Sequence, residues 1–136
     1  MDALRAGLRA FYDERGVELF DLPDAPRPAA DTPAPPRFLP EYDNLLLAHA
    51  DRRRVAADRD RPMIFLSAAR VRATFLVDGF VAGTWRTERS GTLATLVIEP
   101  FAPLPAAARD GLAEEGERLI RFSDDRARDF AIRFAP

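Results

Sequence analysis

Apolar and polar positions recur with two different periods along this chain, and the changes of period mark its parts. Leu4, Leu8, Phe11 and Tyr12 recur at i, i+4, i+7 and i+8, which predicts a helix over residues 2–12 with Gly16 as its stop. "VELFDL" (17–22) then reads as a short strand. Two such elements cannot enclose a core of their own. Residues 23–36 hold six prolines and little to bury, the composition of an extended linker or surface strap.

The main body is expected over 37–136. The run Leu45 to His49 reads as its first strand, 50–62 as a solvated loop or short helix, and "MIFL" (63–66) as another short strand. "RATFLV" (72–77) and "FVAGTW" (80–85) are joined by Asp78-Gly79, a strong two-residue hairpin signal. "TLATLVIE" (92–99) follows Ser90-Gly91 and completes a three-strand meander. Residues 104–122 carry a helical stripe of Leu104, Ala108, Leu112, Gly116, Leu119 and Ile120, with Glu114–Arg118 and Glu117–Arg121 at i,i+4 spacing outside it. "RDFAIRF" alternates, which turns Phe130, Ile132 and Phe134 inward. The expected class is α+β: a small curled antiparallel sheet or partial β-barrel with one long helix.

Composition narrows the chemistry. The chain has 136 residues, 47% of them hydrophobic, enough for a real core. It has no cysteine, so disulfides, thiolate metal sites and cysteine nucleophiles are excluded together. No apolar run reaches the ~18–20 residues that span a bilayer, and the first residues lack a signal-peptide core, so no membrane association and a cytoplasmic location are expected. All 20 basic residues are arginine, and glutamine is absent. The arginine bias fits GC-rich coding, yet the charge is not evenly spread. Residues 52–89 hold nine arginines against four acids (+5), residues 1–51 five against ten (−5), and residues 90–136 six against eight (−2). A basic middle between acidic ends points to one positively charged surface.

Each candidate group has two readings. His49 and Asp51 would share a face of a continuing strand, where they could do acid–base work or form a hydrogen-bonded strand end. Asp43 and Asn44 offer bonds to backbone groups where the chain turns into the sheet. Trp85 is a core residue or a stacking platform beside Arg86 and Arg89. Arg52, Arg53, Arg54, Arg70, Arg72, Arg86 and Arg89 form a solvated face or hold a phosphate backbone. One histidine without cysteine leaves only an all-carboxylate metal site, and "DRDR" and "SDDR" read more simply as solvated charge. No metal or cofactor is expected. Ser67, Ser90 and Ser123 lack a nucleophile-elbow context, and the glycines form no phosphate loop.

Taken together, "LPEYDNLLLAHADR", "LVDGFVAGTW" and a β-rich stretch closed by a helix resemble the C-terminal part of a bacterial winged-helix DNA-binding family. That family includes DNA glycosylases that excise alkylated bases and unhook interstrand crosslinks. The resemblance runs from about Leu4 to Phe122. It implies that residues 1–22 are a helix–strand remnant of the last winged helix and that 37–136 form the barrel-like C-terminal domain. It places His49 and Arg52 towards DNA, with Asp43 and Asn44 ordering the first strand. The family's catalytic signature, two glutamines separated by one residue, belongs to the N-terminal region, which is missing here, and a chain without glutamine cannot carry it.

The expectation is therefore a non-catalytic DNA-facing domain that binds double-stranded DNA weakly and without sequence preference. The arginines 52–54, 70, 72, 86 and 89, with His49, would make its contacts, while Asp43, Asn44 and Trp85 would be structural. Two alternatives stand beside it. One is an interaction module docking on a separately encoded winged-helix partner chain. The other is a small-molecule-binding barrel with His49 and Trp85 in its pocket.

Overall fold

Residues 9–12 form strand β1 (Arg9–Tyr12), paired antiparallel with β2 (Glu18–Asp21). The computed structural model describes residues 5–67 and 69–136. Residues 2–4 of the expected helix (2–12) lie outside the described residues, and residues 9–12 are strand instead. Loop chemistry overrides the helical spacing. The Asp13 carboxylate accepts the backbone N–H groups of Val17 (2.8 Å) and Arg15 (2.9 Å), and Gly16 takes φ 75°. Those bonds, the Val17 N–H first, hold the Asp13 carboxyl below its ordinary range. Gly16 thus reverses a hairpin and does not end a helix. This hairpin belongs to the first of two compact units, residues 1–32 and 33–136.

The second unit is built on a five-stranded sheet in the order β3-β4-β5-β6-β7, with β3 Arg37–Leu39, β4 Thr74–Val77, β5 Phe80–Ser90, β6 Leu93–Pro100 and β7 Asp129–Phe134. Asp78 (φ 51°) and Gly79 (φ 79°) make the tight β4–β5 turn expected of Asp-Gly. The first four strands pair antiparallel, but β7 runs parallel to β6. A parallel neighbour needs a crossover, and the long helix supplies it. The sheet is therefore mixed and open, not all-antiparallel and not a closed barrel.

Among the described residues the unit also has three α-helices, α1 (Asn44–Leu47), α2 (Arg61–Ile64) and α3 (Ala106–Ser123), with a short 3-10 turn at Asp58–Asp60 leading into α2. Helix α3 covers one face of the sheet. Leu112, Gly116 and Ile120 are buried there against Phe75, Ala94, Leu96 and Ile98, with Phe38, Phe130, Ile132 and Phe134 packed around them. A Cβ on Gly116 would stand 3.3 Å from Ile132 Cδ1, so the bare backbone lets the helix lie close to the sheet. Both expected i,i+4 pairs form, Glu114–Arg118 at 3.0 Å and Glu117–Arg121 at 2.8 Å. None of the described helices is long and apolar enough to cross a membrane.

Consecutive strand residues point to opposite faces, so Leu76 turns away from the Phe75 side. There it meets a second cluster of Leu46, Ala56, Ile64, Val71 and Val81. The α1–α2 segment thus covers the other face at its β4–β5 end. Val81 N–H to Val55 carbonyl (2.7 Å) and Arg72 N–H to Ile64 carbonyl (3.0 Å) tie it down.

The expected strand Leu45–His49 is helix α1, and the unit's first strand lies earlier, at Arg37–Leu39. Asp43 explains the difference: its carboxylate accepts the Leu45 N–H (2.8 Å), an N-cap that starts a helical turn. Of the three leucines only Leu46 is buried, the pattern of a helix touching a core on one side. Likewise Met63 and Ile64 end α2, and only Phe65 makes a bridge, to Val71. Asp43→Ala should cost about 1 kcal/mol, a few degrees of melting temperature in a thermal scan. Arg53→Ala, at an exposed position, should change it by less than about 0.5 kcal/mol. A larger loss from Arg53→Ala would contradict this placement.

Candidate nucleic-acid interface

The register of β5 and β6 separates the candidate arginines. Directly opposed residues share a face, and Trp85↔Ile98 and Arg89↔Ala94 lie on the α3 side, because Ile98 and Ala94 are in that core. Arg86↔Val97 and Thr84↔Glu99 therefore lie on the opposite side. Arg89 pairs with Asp124 at the end of α3 (2.8 Å), on the side of the sheet opposite Arg86. The seven arginines do not form one continuous face.

Glu99 organises the other side. It accepts from Arg72 (2.6 Å), from the Thr84 hydroxyl (3.1 Å) and from Arg86. Arg86 also reaches Glu88 (2.6 Å), and Arg133 reaches Glu88 from β7 (2.7 Å). The guanidiniums of Arg133 and Arg86 hold the Glu88 carboxyl below its ordinary range. Three arginines thus lie across a sheet face, partly neutralised by two glutamates. Glu99, Glu88 and Arg133 escaped the sequence reading, although the alternation of Thr84, Arg86 and Glu88 along β5 carried the signal.

The loop after α1 holds the remaining candidates. Arg52 is half-buried: its Nε donates to the Leu46 carbonyl, and its guanidinium lies 5.0 Å from the Phe65 ring centroid. That makes it a support of the fold as well as a cation. Arg53 folds onto Asp51, with 2.7 Å between Nη2 and Oδ2. Arg54 and Arg70 are exposed and have no carboxylate partner among the described residues. His49 is exposed just beyond α1 and has no hydrogen-bond partner among the described residues. Asp51 is engaged by Arg53, and no strand holds it in register with His49.

An open cleft of about 380 Å³ lies in this loop, lined by Arg52, Arg53, Arg61, Asp58 and Phe65 with small alanines. Neither His49 nor Trp85 lines it. Trp85 sits against the α3-side core, edge-on to Phe38 at 5.7 Å, and donates from Nε1 to the Leu39 carbonyl (2.9 Å). Asn44 opens α1, its backbone carbonyl accepting the Ala48 N–H (2.9 Å). Among the described residues, no three His, Asp or Glu side chains gather where they could hold a metal ion.

Comparison with known proteins gives this arrangement a context. No curated protein matches the chain. Among solved structures, Streptomyces sahachiroi DNA glycosylase AlkZ superimposes with a TM-score of 0.73 over 98% of this chain, at 21% identity, and this shows a shared fold. The present chain spans 35% of that protein's length. The family profile described as DNA glycosylase AlkZ-like matches residues 1–122. Strand order, core helix and loop all fall within that match except β7, and the chain belongs to the AlkZ-like DNA glycosylase family.

Proposed function

We propose that these 136 residues form a DNA-facing domain that holds phosphates of a duplex and does not itself excise bases. The observation that carries the reading is the pair Arg54 and Arg70: two exposed guanidiniums without carboxylate partners, in a chain of a DNA glycosylase family. A free surface arginine gives up no ion pair on meeting a phosphate, whereas Arg89 or Arg86 must first leave Asp124 or Glu99. Arg54 and Arg70 are thus the leading contacts. Arg53, Arg72, Arg86 and Arg89 are secondary ones, and Arg52 and His49 sit at the margin. Phosphate contacts position a protein without reading sequence, so preference among duplexes is slight. The net charge of −2 keeps the affinity low.

The β1–β2 hairpin supports reading residues 1–22 as the tail of a winged helix, whose wing is such a hairpin. Tyr12 (69% exposed) at the end of β1 and Leu22 (63%) just after β2 also favour the second reading, docking onto a winged-helix chain. Base excision needs an extruded base and an activated water, and the glutamine pair used by the family is absent from these residues. Incubated with alkylated duplex, the pure protein should release no more abasic sites than a heat-killed control. Release above that control contradicts the non-catalytic half of the proposal.

A further inference from the structure

The cleft after α1 holds more positive charge than its own carboxylates neutralise. Two guanidiniums are carried on one ring, Arg52 at 5.0 Å and Arg61 at 5.8 Å from the Phe65 centroid. A guanidinium held near a ring by cation–π attraction keeps its planar N–H groups available to an acceptor. Arg52 spends its Nε on the Leu46 carbonyl, which fixes the side chain and leaves its two terminal nitrogens. Arg61 is exposed, and no acceptor takes its N–H groups among the described residues. Three arginines, Arg52, Arg53 and Arg61, line the cleft against two carboxylates, Asp58 and Asp51, the latter paired with Arg53 (2.7 Å). Two like charges on one ring repel, and an anion placed against both relieves that repulsion. The planar fork of an arginine matches the oxygens of a phosphate.

We infer that this cleft binds one phosphate group, with Arg52 and Arg61 donating to its oxygens and Phe65 setting their spacing. At about 380 Å³ it has room for the sugar or other group that carries the phosphate. The phosphate is either a diester of a DNA strand or a monoester on a small molecule. The first source rests on the DNA-facing reading and the second does not.

The test follows the arginine Nε–H signals of the full ¹⁵N-labelled chain by NMR. Inorganic phosphate, thymidine 5′-monophosphate and a short duplex are added in separate titrations. Saturable shifts of Arg52 and Arg61 are expected. Arg61→Gln should weaken binding about tenfold, the loss of one charge-assisted bond. Asp58→Asn should strengthen it about two- to threefold, because the opposing charge is gone. Shifts with phosphate and monophosphate mark a monoester site, and shifts with duplex alone mark a strand diester; both support the cleft. If no probe gives saturable shifts, or if Asp58→Asn weakens binding, the inference is overturned. Duplex binding that leaves both arginine signals unmoved also overturns the cleft but spares the wider DNA reading. Phosphate binding without duplex binding does the reverse.

Discussion

Phe75→Ala is expected to remove about 3–5 kcal/mol of stability, a large share of the ~5–15 kcal/mol a domain commonly has. Phe75 is fully buried at the centre of β4, between α3 and the sheet. Its ring contacts Phe38 at 6.2 Å between centroids and lies against the bare backbone of Gly83, its partner on β5. Truncation leaves a cavity that Phe38, held by its edge-on contact with Trp85, is poorly placed to fill. Urea denaturation followed by circular dichroism measures the loss, and Phe75→Leu should cost distinctly less. A loss below about 1.5 kcal/mol for Phe75→Ala would mean the core sits elsewhere.

Gly83→Ala should be nearly as damaging although it adds a single methyl. A Cβ at Gly83 would fall far inside contact distance of the Glu99 carbonyl oxygen and of Phe75 Cε1, and 2.6 Å from Phe75 Cζ. The ring could move aside, but the Glu99 backbone cannot move without disturbing the β5–β6 ladder. The cost should reach or exceed the upper end of the ~1–3 kcal/mol typical of overpacking. The two changes should also couple. In the double variant Phe75→Ala/Gly83→Ala one of the two clashes is gone, so the combined loss should be smaller than the sum of the single losses. Strict additivity would show that the ring does not cover Gly83.

The sheet and the long helix were legible because their signals are local and redundant. Asp78-Gly79 fixes a hairpin whatever surrounds it, and Leu112, Gly116 and Ile120 repeat along one helical face. Two of the misread segments were decided by single carboxylates. Asp13 closes a hairpin loop with the Val17 and Arg15 N–H groups, and Asp43 caps a turn at Leu45, each against an apolar spacing that fits another element. Apolar spacing reports which side is buried, and the capping bond decides the backbone. The parallel placement of β7 was hidden for another reason. Alternation in Phe130, Ile132 and Phe134 gives a strand its faces but neither its neighbour nor its direction. The grouping of the arginines was not legible in the sequence. Whether an arginine is free depends on distant carboxylates, such as Asp124 for Arg89 and Glu99 for Arg72, which only the tertiary fold brings near.

Fluorescence anisotropy with a labelled random duplex, titrated between about 25 and 200 mM salt, puts the DNA-facing reading to its most direct test. Three to five phosphate contacts predict near-micromolar binding at the lowest salt and a log–log slope of roughly −3 to −5. Replacing Arg54 and Arg70 together by alanine should make the slope shallower by about 2 and leave the melting temperature unchanged. Absence of binding at the lowest salt, or a slope that the double replacement does not alter, would contradict the account.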